Sequence, residues 1–127
     1  VFFPDPKVAV ATLIEQDGKV LLVQRAHNPF RGKWMLPAGF VDAGEDPQEA
    51  AVREVEEETS LQVDITQLRD VFANRAYEGG ADIIIVYQGE VISGELKAGD
   101  DAAQAIFFSR DHLPALAFES TKRILFM

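Results

Sequence analysis

Three carboxylates, Glu54, Glu57 and Glu58, stand at i, i+3 and i+4. On a helix that spacing puts them on one face. Like charges so placed repel by a few tenths of a kcal/mol per exposed pair. The surrounding segment makes this worse, with Glu49, Glu54, Glu56, Glu57 and Glu58 set against Arg53 alone. A positive partner is needed. Magnesium or manganese fits, because these hard cations take carboxylate oxygens and share their remaining positions with water and substrate phosphates. The plainer alternative is a solvated acidic face. The chain has no cysteine, and its two histidines, His27 and His112, are far apart. Thiolate chemistry and histidine-rich metal sites are thereby excluded.

The elements that must position these groups follow from local pattern. Asp46 as N-cap, Pro47 at the first helical position and Glu49 in a capping-box position predict a helix over 47–59. Ala51, Val52, Val55 and Thr59 form its core-facing stripe, with the three carboxylates expected opposite. Upstream, β-branched residues on either side of Asp17-Gly18 predict an antiparallel hairpin over 7–26. A loop follows at 27–33. Downstream, 62–77 reads as extended, with Val63, Ile65, Leu68, Val71 and Phe72 as buried candidates. A strand over 81–91, apolar on both faces, is expected at the centre of a sheet. A polar loop at 93–101, a strand at 105–109 and a closing helix at 116–127 complete the pattern. Together they predict the α/β (α+β) class: one domain over 1–127, an α/β/α sandwich around a mixed β-sheet.

Composition narrows the partners. The 127 residues carry a net charge of −9, and such a surface repels polyanions. Nucleic acid polymers are poor partners, whereas a small phosphorylated ligand bridged by divalent cations is not. No apolar run approaches the roughly 20 residues needed to cross a bilayer, and no signal peptide is visible. Neither a membrane partner nor export is expected, so a cytoplasmic location is.

Gly39, Glu45, Arg53, Glu54, Val55, Glu57, Glu58 and Leu61 have the spacing of a longer pattern. The segment 39–61 resembles the Nudix box, G-x5-E-x7-R-E-U-x-E-E-x-G-U with U aliphatic, and departs from it only at Ser60, where the family has glycine. The flanks also look like the family: Leu22-Val23-Gln24-Arg25, then Gly32-Lys33-Trp34 and Leu36-Pro37-Ala38-Gly39. A glycine just past a helix end usually takes a left-handed conformation. Ser60 either adopts it, at a cost of about 1–2 kcal/mol, or the helix ends differently.

The resemblance implies a hydrolase, MutT-like, that cleaves nucleoside diphosphates linked to another moiety by attack of water on the pyrophosphate. It implies Mg²⁺ or Mn²⁺ held by Glu54, Glu57 and Glu58, with a backbone carbonyl near Ala38 and Gly39. Glu54 or Glu58 would also orient or deprotonate water. Glu45 would support the loop and a second metal, and Arg53 would hold the carboxylates in place. A further carboxylate is expected downstream, from Glu95, Asp100 or Asp101. Arg25, Arg31 and Lys33 are candidates to clamp phosphate, and Trp34 either stacks on a base or packs in the core.

The substrate is less constrained. The Ser-Gln-Pro-Trp-Pro-Phe-Pro marker of NADH-cleaving members is absent, and no proline falls between Pro47 and Pro114. Tyr77 lies where dinucleoside-polyphosphate members often have a tyrosine. Overall the chain looks most like small ADP-ribose pyrophosphatase-type members, some of which are homodimers. The alternatives are a hydrolase of oxidised nucleoside triphosphates or of dinucleoside polyphosphates, or a Nudix-fold sensor without catalysis.

Overall fold

The structure, a computed structural model, describes residues 5–73 and 80–126. The hairpin forms as its turn requires. Strand β1 (Val8–Gln16) and strand β2 (Lys19–Arg25) are antiparallel, and Asp17 and Gly18 both take positive φ between them. The two strands pair only next to the turn, at Glu15↔Val20 and Gln16↔Lys19, and then splay apart. Two short strands, β3 (Trp34–Met35) and β4 (Ala38–Phe40), fill the opening. β3 pairs with β2, and β4 pairs with β1. Periodicity cannot reveal strands of two and three residues.

Helix α1 (Pro47–Thr59) has the expected bounds. Its cap bond runs from the Gln48 N–H to the Asp46 carboxylate at 2.7 Å. Strand β5 (Gln62–Ala73) follows, then β6 (Ile83–Ser93), β7 (Ala102–Ser109) and helix α2 (Glu119–Leu125). The strand order is β3-β2-β1-β6-β5, with β4 also on β1 and β7 on β2. β1 and β6 are parallel, from Val8↔Ile83 to Ile14↔Gly89, and the remaining pairs are antiparallel.

Alternation along β1 divides the core between two faces. Ala9, Ala11 and Leu13 join Leu22, Trp34, Val86 and the α2 residues Ile124 and Leu125. Val10 packs with Ala50, Ala51 and Tyr87, and Ile14 with Val55, Leu61 and Val63. One helix covers each face, so the molecule is the α/β/α sandwich of the sequence expectation. β6 lies between β1 and β5, which is why it is apolar on both faces.

Several boundaries differ from expectation. Leu68 and Val71 are 58% and 51% exposed, not buried. They lie on β5, an edge strand with bulges between Ile65 and Asp70 that break the inside–outside alternation. β7 begins three residues earlier than predicted, at Ala102. The closing helix is shorter than 116–127, because Leu116 bridges to Trp34 in extended form and Phe118 has φ 58. Trp34 is a core residue, packed edge-on against Phe108 at 4.8 Å between ring centres, so it is no platform for a base. Tyr77 lies outside the described residues. Among those described, no helix is long and apolar enough to cross a membrane.

Candidate active site

The carboxylate helix ends as the departing serine allows. Ser60 adopts the left-handed conformation, φ 65 and ψ 7, and its N–H bonds the Glu56 carbonyl at 2.9 Å. Its hydroxyl donates to the Lys97 carbonyl at 2.9 Å, a bond that glycine cannot make. The loop carrying Lys97 folds back over the helix terminus. The Lys97 N–H bonds the Thr59 carbonyl at 2.9 Å, and the Gly99 N–H bonds the Glu58 carbonyl at 3.1 Å. These bonds satisfy carbonyls that a helix end leaves open. A Cβ at Gly99 would lie 2.7 Å from the Glu57 carbonyl, so only glycine permits this approach. The loop thereby delivers Asp100 and Asp101 beside the carboxylates of α1. Both aspartates line one cavity with Glu54 and Glu58.

The three glutamates do not share the solvent face opposite the apolar stripe. Glu58 is 6% exposed. At about 100° per residue it lies only about 60° from Val55, which places it at the stripe's edge. Its carboxylate accepts the Ala38 N–H at 2.8 Å. Burial pushes its pKa up to about 8, helped by the charges of Glu54, Asp100 and Asp101. Burial also raises Glu54, against the lowering effect of Arg53. Gly39 makes room for Glu54, since a Cβ there would overlap the Glu54 carboxylate. Glu57 is half-exposed and lines the adjoining groove between α1 and β5 instead.

Arg53 is the hub of the cluster. Its Nε and Nη2 donate to the two Glu45 carboxylate oxygens at 2.8 and 2.9 Å. Nη1 donates to Glu54 at 2.7 Å and to Glu57 at 3.3 Å, and Nη2 to the Phe40 carbonyl at 3.1 Å. Paired this way, Glu45 is held down to about 2, chiefly by its hydrogen bonds from Arg53. Glu45 also accepts the Asp42 N–H at 3.0 Å, which ties the loop to the helix.

Among the described residues, no three acidic or histidine side chains converge tightly enough to hold a metal ion as they stand. Arg53 supplies the positive charge between Glu54 and Glu57 in this arrangement. The chemistry still fits a hard divalent cation. The donors are all oxygen, the Gly39 cradle holds one carboxylate in the cavity, and burial together with neighbouring carboxylates raises Glu54 and Glu58.

The cavity has a volume of about 470 Å³ and runs between the splayed strands β1 and β2. Ala38 and Gly39 line it with the carboxylates Glu54, Glu58, Asp100 and Asp101. Arg25, Met35 and Phe118 line it too, along with Ala9, Ala11 and Ile124. Arg31 and Lys33 are exposed and lie outside that lining, as does Glu95. The Lys33 ammonium lies over the Phe30 ring at 5.4 Å. Splay of the hairpin carries the strand ends apart, and the flanking cations do not all follow into the cavity. Sequence reasoning passed over Phe118, Phe40 and His27, all of which line it. His27 lies 3.6 Å from Asp101, a contact made across the β2–β7 ladder and visible only once the strands pair.

The NUDIX domain pattern matches residues 4–126. Over 120 residues the chain is 48% identical to an ADP-ribose pyrophosphatase of Methanocaldococcus jannaschii, spanning 94% of this chain and 71% of that protein. The fold is similar to a NUDIX hydrolase from Nitrosomonas europaea, with a TM-score of 0.88 and 29% identity over 98% of this chain and 70% of that one. It is also similar to a MutT NUDIX hydrolase from Burkholderia pseudomallei, with a TM-score of 0.86 and 30% identity over 96% and 97% of the two chains. Hydrolases of this kind generally need divalent metal ions. With the box on α1, the cradle at Gly39 and these relatives in agreement, the chain belongs to the Nudix family of pyrophosphohydrolases.

Proposed function

We propose that this enzyme hydrolyses ADP-ribose, or a closely related nucleoside diphosphate derivative, to a nucleoside monophosphate and a second phosphate ester. The observation that carries the reading is the polarity of the cavity. The carboxylates Glu54, Glu58, Asp100 and Asp101 share its wall with apolar and aromatic groups such as Ala9, Met35 and Phe118. That arrangement suits a ligand with an anionic centre and a planar apolar end. The similarity to an ADP-ribose pyrophosphatase supports the choice of substrate.

In this reading Glu54, Glu57 and Glu58, with backbone carbonyls at Ala38 and Gly39, hold Mg²⁺ or Mn²⁺. The bound cation supplies neutralisation of the phosphate oxygens and a more acidic water. Glu58, or Glu54 beside it, would orient the attacking water and take its proton, since both carboxylates line the cavity. The water oxygen bonds to one phosphorus, the bridging P–O bond breaks, and the departing phosphate leaves with the bridging oxygen. Arg53 keeps Glu54 and Glu57 in register by its bonds to both, while Glu45 keeps Arg53 in place. Asp100 or Asp101 is the downstream carboxylate, both lining the cavity. A net charge of −9 supports small nucleotides over nucleic acid polymers.

Incubation with ADP-ribose, NADH, diadenosine polyphosphates, nucleotide sugars and oxidised dGTP, in Mg²⁺ or Mn²⁺, tests the reading. Chromatography should show ADP-ribose converted to AMP and ribose 5-phosphate, with turnover lost in chelator. Preferred cleavage of another compound would replace the substrate. Tight binding without cleavage of any would favour a sensor.

A further inference from the structure

By its position beside the box, Arg25 is expected to clamp phosphate. The geometry gives it a different task. The β2–β7 ladder shifts register between Gln24 and Arg25, where β7 carries the extra residue, Ala103. The Arg25 Nε donates to the Pro29 carbonyl at 2.7 Å, and Nη1 to the Met35 sulfur at 3.3 Å. The guanidinium carbon lies 4.9 Å from the centre of the Phe118 ring. Two of its three nitrogens are therefore committed to protein atoms, and its guanidinium carbon lies over an aromatic ring.

Phe118 is itself held in an unusual state. Its φ of 58 is one that bulky residues avoid, and such conformations persist where the surroundings over-determine them. Phe30, with φ 61, meets the same ring edge-on at 5.1 Å. Two segments distant in sequence, 25–30 and the turn at Phe118, thus converge to fix one ring, and that ring lines the cavity.

We propose that Arg25 is a positioning residue that acts on substrate through Phe118, holding the ring as the wall against which the nucleobase packs. This rests on the reading that the cavity takes a nucleotide. Arginine suits the role because it bonds in its plane while stacking with its face, which lysine cannot do.

Calorimetric titration of the full chain in Mg²⁺ separates the possibilities without requiring turnover. The ligands are AMP, which carries a base, and ribose 5-phosphate, which does not. The proteins are wild type, R25M, R25K, F118L and R25M/F118L, with melting temperatures measured in parallel. R25M and F118L should each weaken AMP by about tenfold, a typical loss for an aromatic stacking partner. The double variant should be no worse than about tenfold, because both changes break one wall. R25K should resemble R25M, and should carry the test if R25M does not fold. Ribose 5-phosphate affinity should change by less than about twofold throughout, the range of a merely distant change. In ADP-ribose hydrolysis, R25M should act mainly on KM.

Penalties that multiply in the double variant would overturn the proposal. So would an equal loss of ribose 5-phosphate, or retention of AMP binding by R25K, either of which makes Arg25 a phosphate clamp. A wild type that binds neither ligand and cleaves no ADP-ribose overturns the nucleotide reading itself, and this proposal falls with it.

Discussion

The carboxylate side and the aromatic side of the cavity wall are built by different means. On the carboxylate side, Arg53, Glu54, Glu57 and Glu58 come from two turns of α1, and Glu45 from the loop just before it. Hydrogen bonds of 2.7–2.9 Å tie Arg53 to Glu45 and Glu54. On the aromatic side, Arg25 comes from β2, Phe30 from the following loop and Phe118 from the turn before α2. There the links are a cation over a ring, an edge-on ring pair and two strained backbones. The first side is short-range, polar and held by charge. The second is long-range, apolar and held by packing. Charge and metal chemistry demand fixed spacing, which one helix provides cheaply in conformational terms. A recognition wall needs only a surface, so distant segments can compose it and vary it. On this comparison, damage to the first side should act on kcat, and damage to the second on KM.

The largest expected effect comes from Gly39→Ala. Its Cβ would overlap the Glu54 carboxylate and force that group out of the cradle. We expect kcat to fall by about 10² or more, the scale for losing a positioned acid–base group. Steady-state kinetics check this, and a change confined to KM would erase the distinction between the sides. Arg53→Met comes next. It leaves Glu45 and Glu54 without their shared partner. A loss of about 1–3 kcal/mol of stability is expected from Glu54, an orphaned carboxylate largely shielded from solvent, with kcat reduced as well. Urea unfolding measures the first and turnover the second.

A pH dependence follows from Glu58. In the metal-free protein its pKa is pushed up to about 8, from an ordinary value of 4.5. The folded state therefore holds a proton that the unfolded state gives up, and stability falls as pH rises from about 4.5 towards 8. E58Q should flatten that slope in chelator. A thermal melt series across this range would contradict the assignment if wild type and E58Q changed in parallel. The smallest effect is expected from S60G. Glycine relieves a left-handed serine, worth about 1–2 kcal/mol, and loses the hydroxyl bond to Lys97, worth about 1 kcal/mol. The two offset, so stability should move by less than about 1 kcal/mol, within the range of ordinary surface changes.

Legibility in the sequence divides along the same line. The box on 39–61 has fixed spacing, so its residues and the bounds of α1 can be read directly. The hairpin could be read from Asp17-Gly18, but its splay could not, because splay depends on which strands claim each half. The cavity is a consequence of that splay. The i, i+3, i+4 spacing puts Glu58 with Glu54 and Glu57, but Glu58 also borders Val55 on the stripe, and the packing of that stripe decides its burial. Among Arg25, Arg31 and Lys33 only Arg25 lines the cavity, held there by contacts with Pro29, Met35 and Phe118 that no local pattern announces. Phe118 gave no signal because its role arises from contact with Arg25, 93 positions away in numbering.

The assignment of chemistry to the α1 carboxylates is tested most directly by ADP-ribose turnover in Mg²⁺ for wild type, E57Q and E58Q, with folding checked by circular dichroism. Conversion to AMP and ribose 5-phosphate by wild type, with both variants folded but reduced by about 10² to 10⁴ in kcat, is the expected result. Wild-type turnover in both folded variants would contradict it.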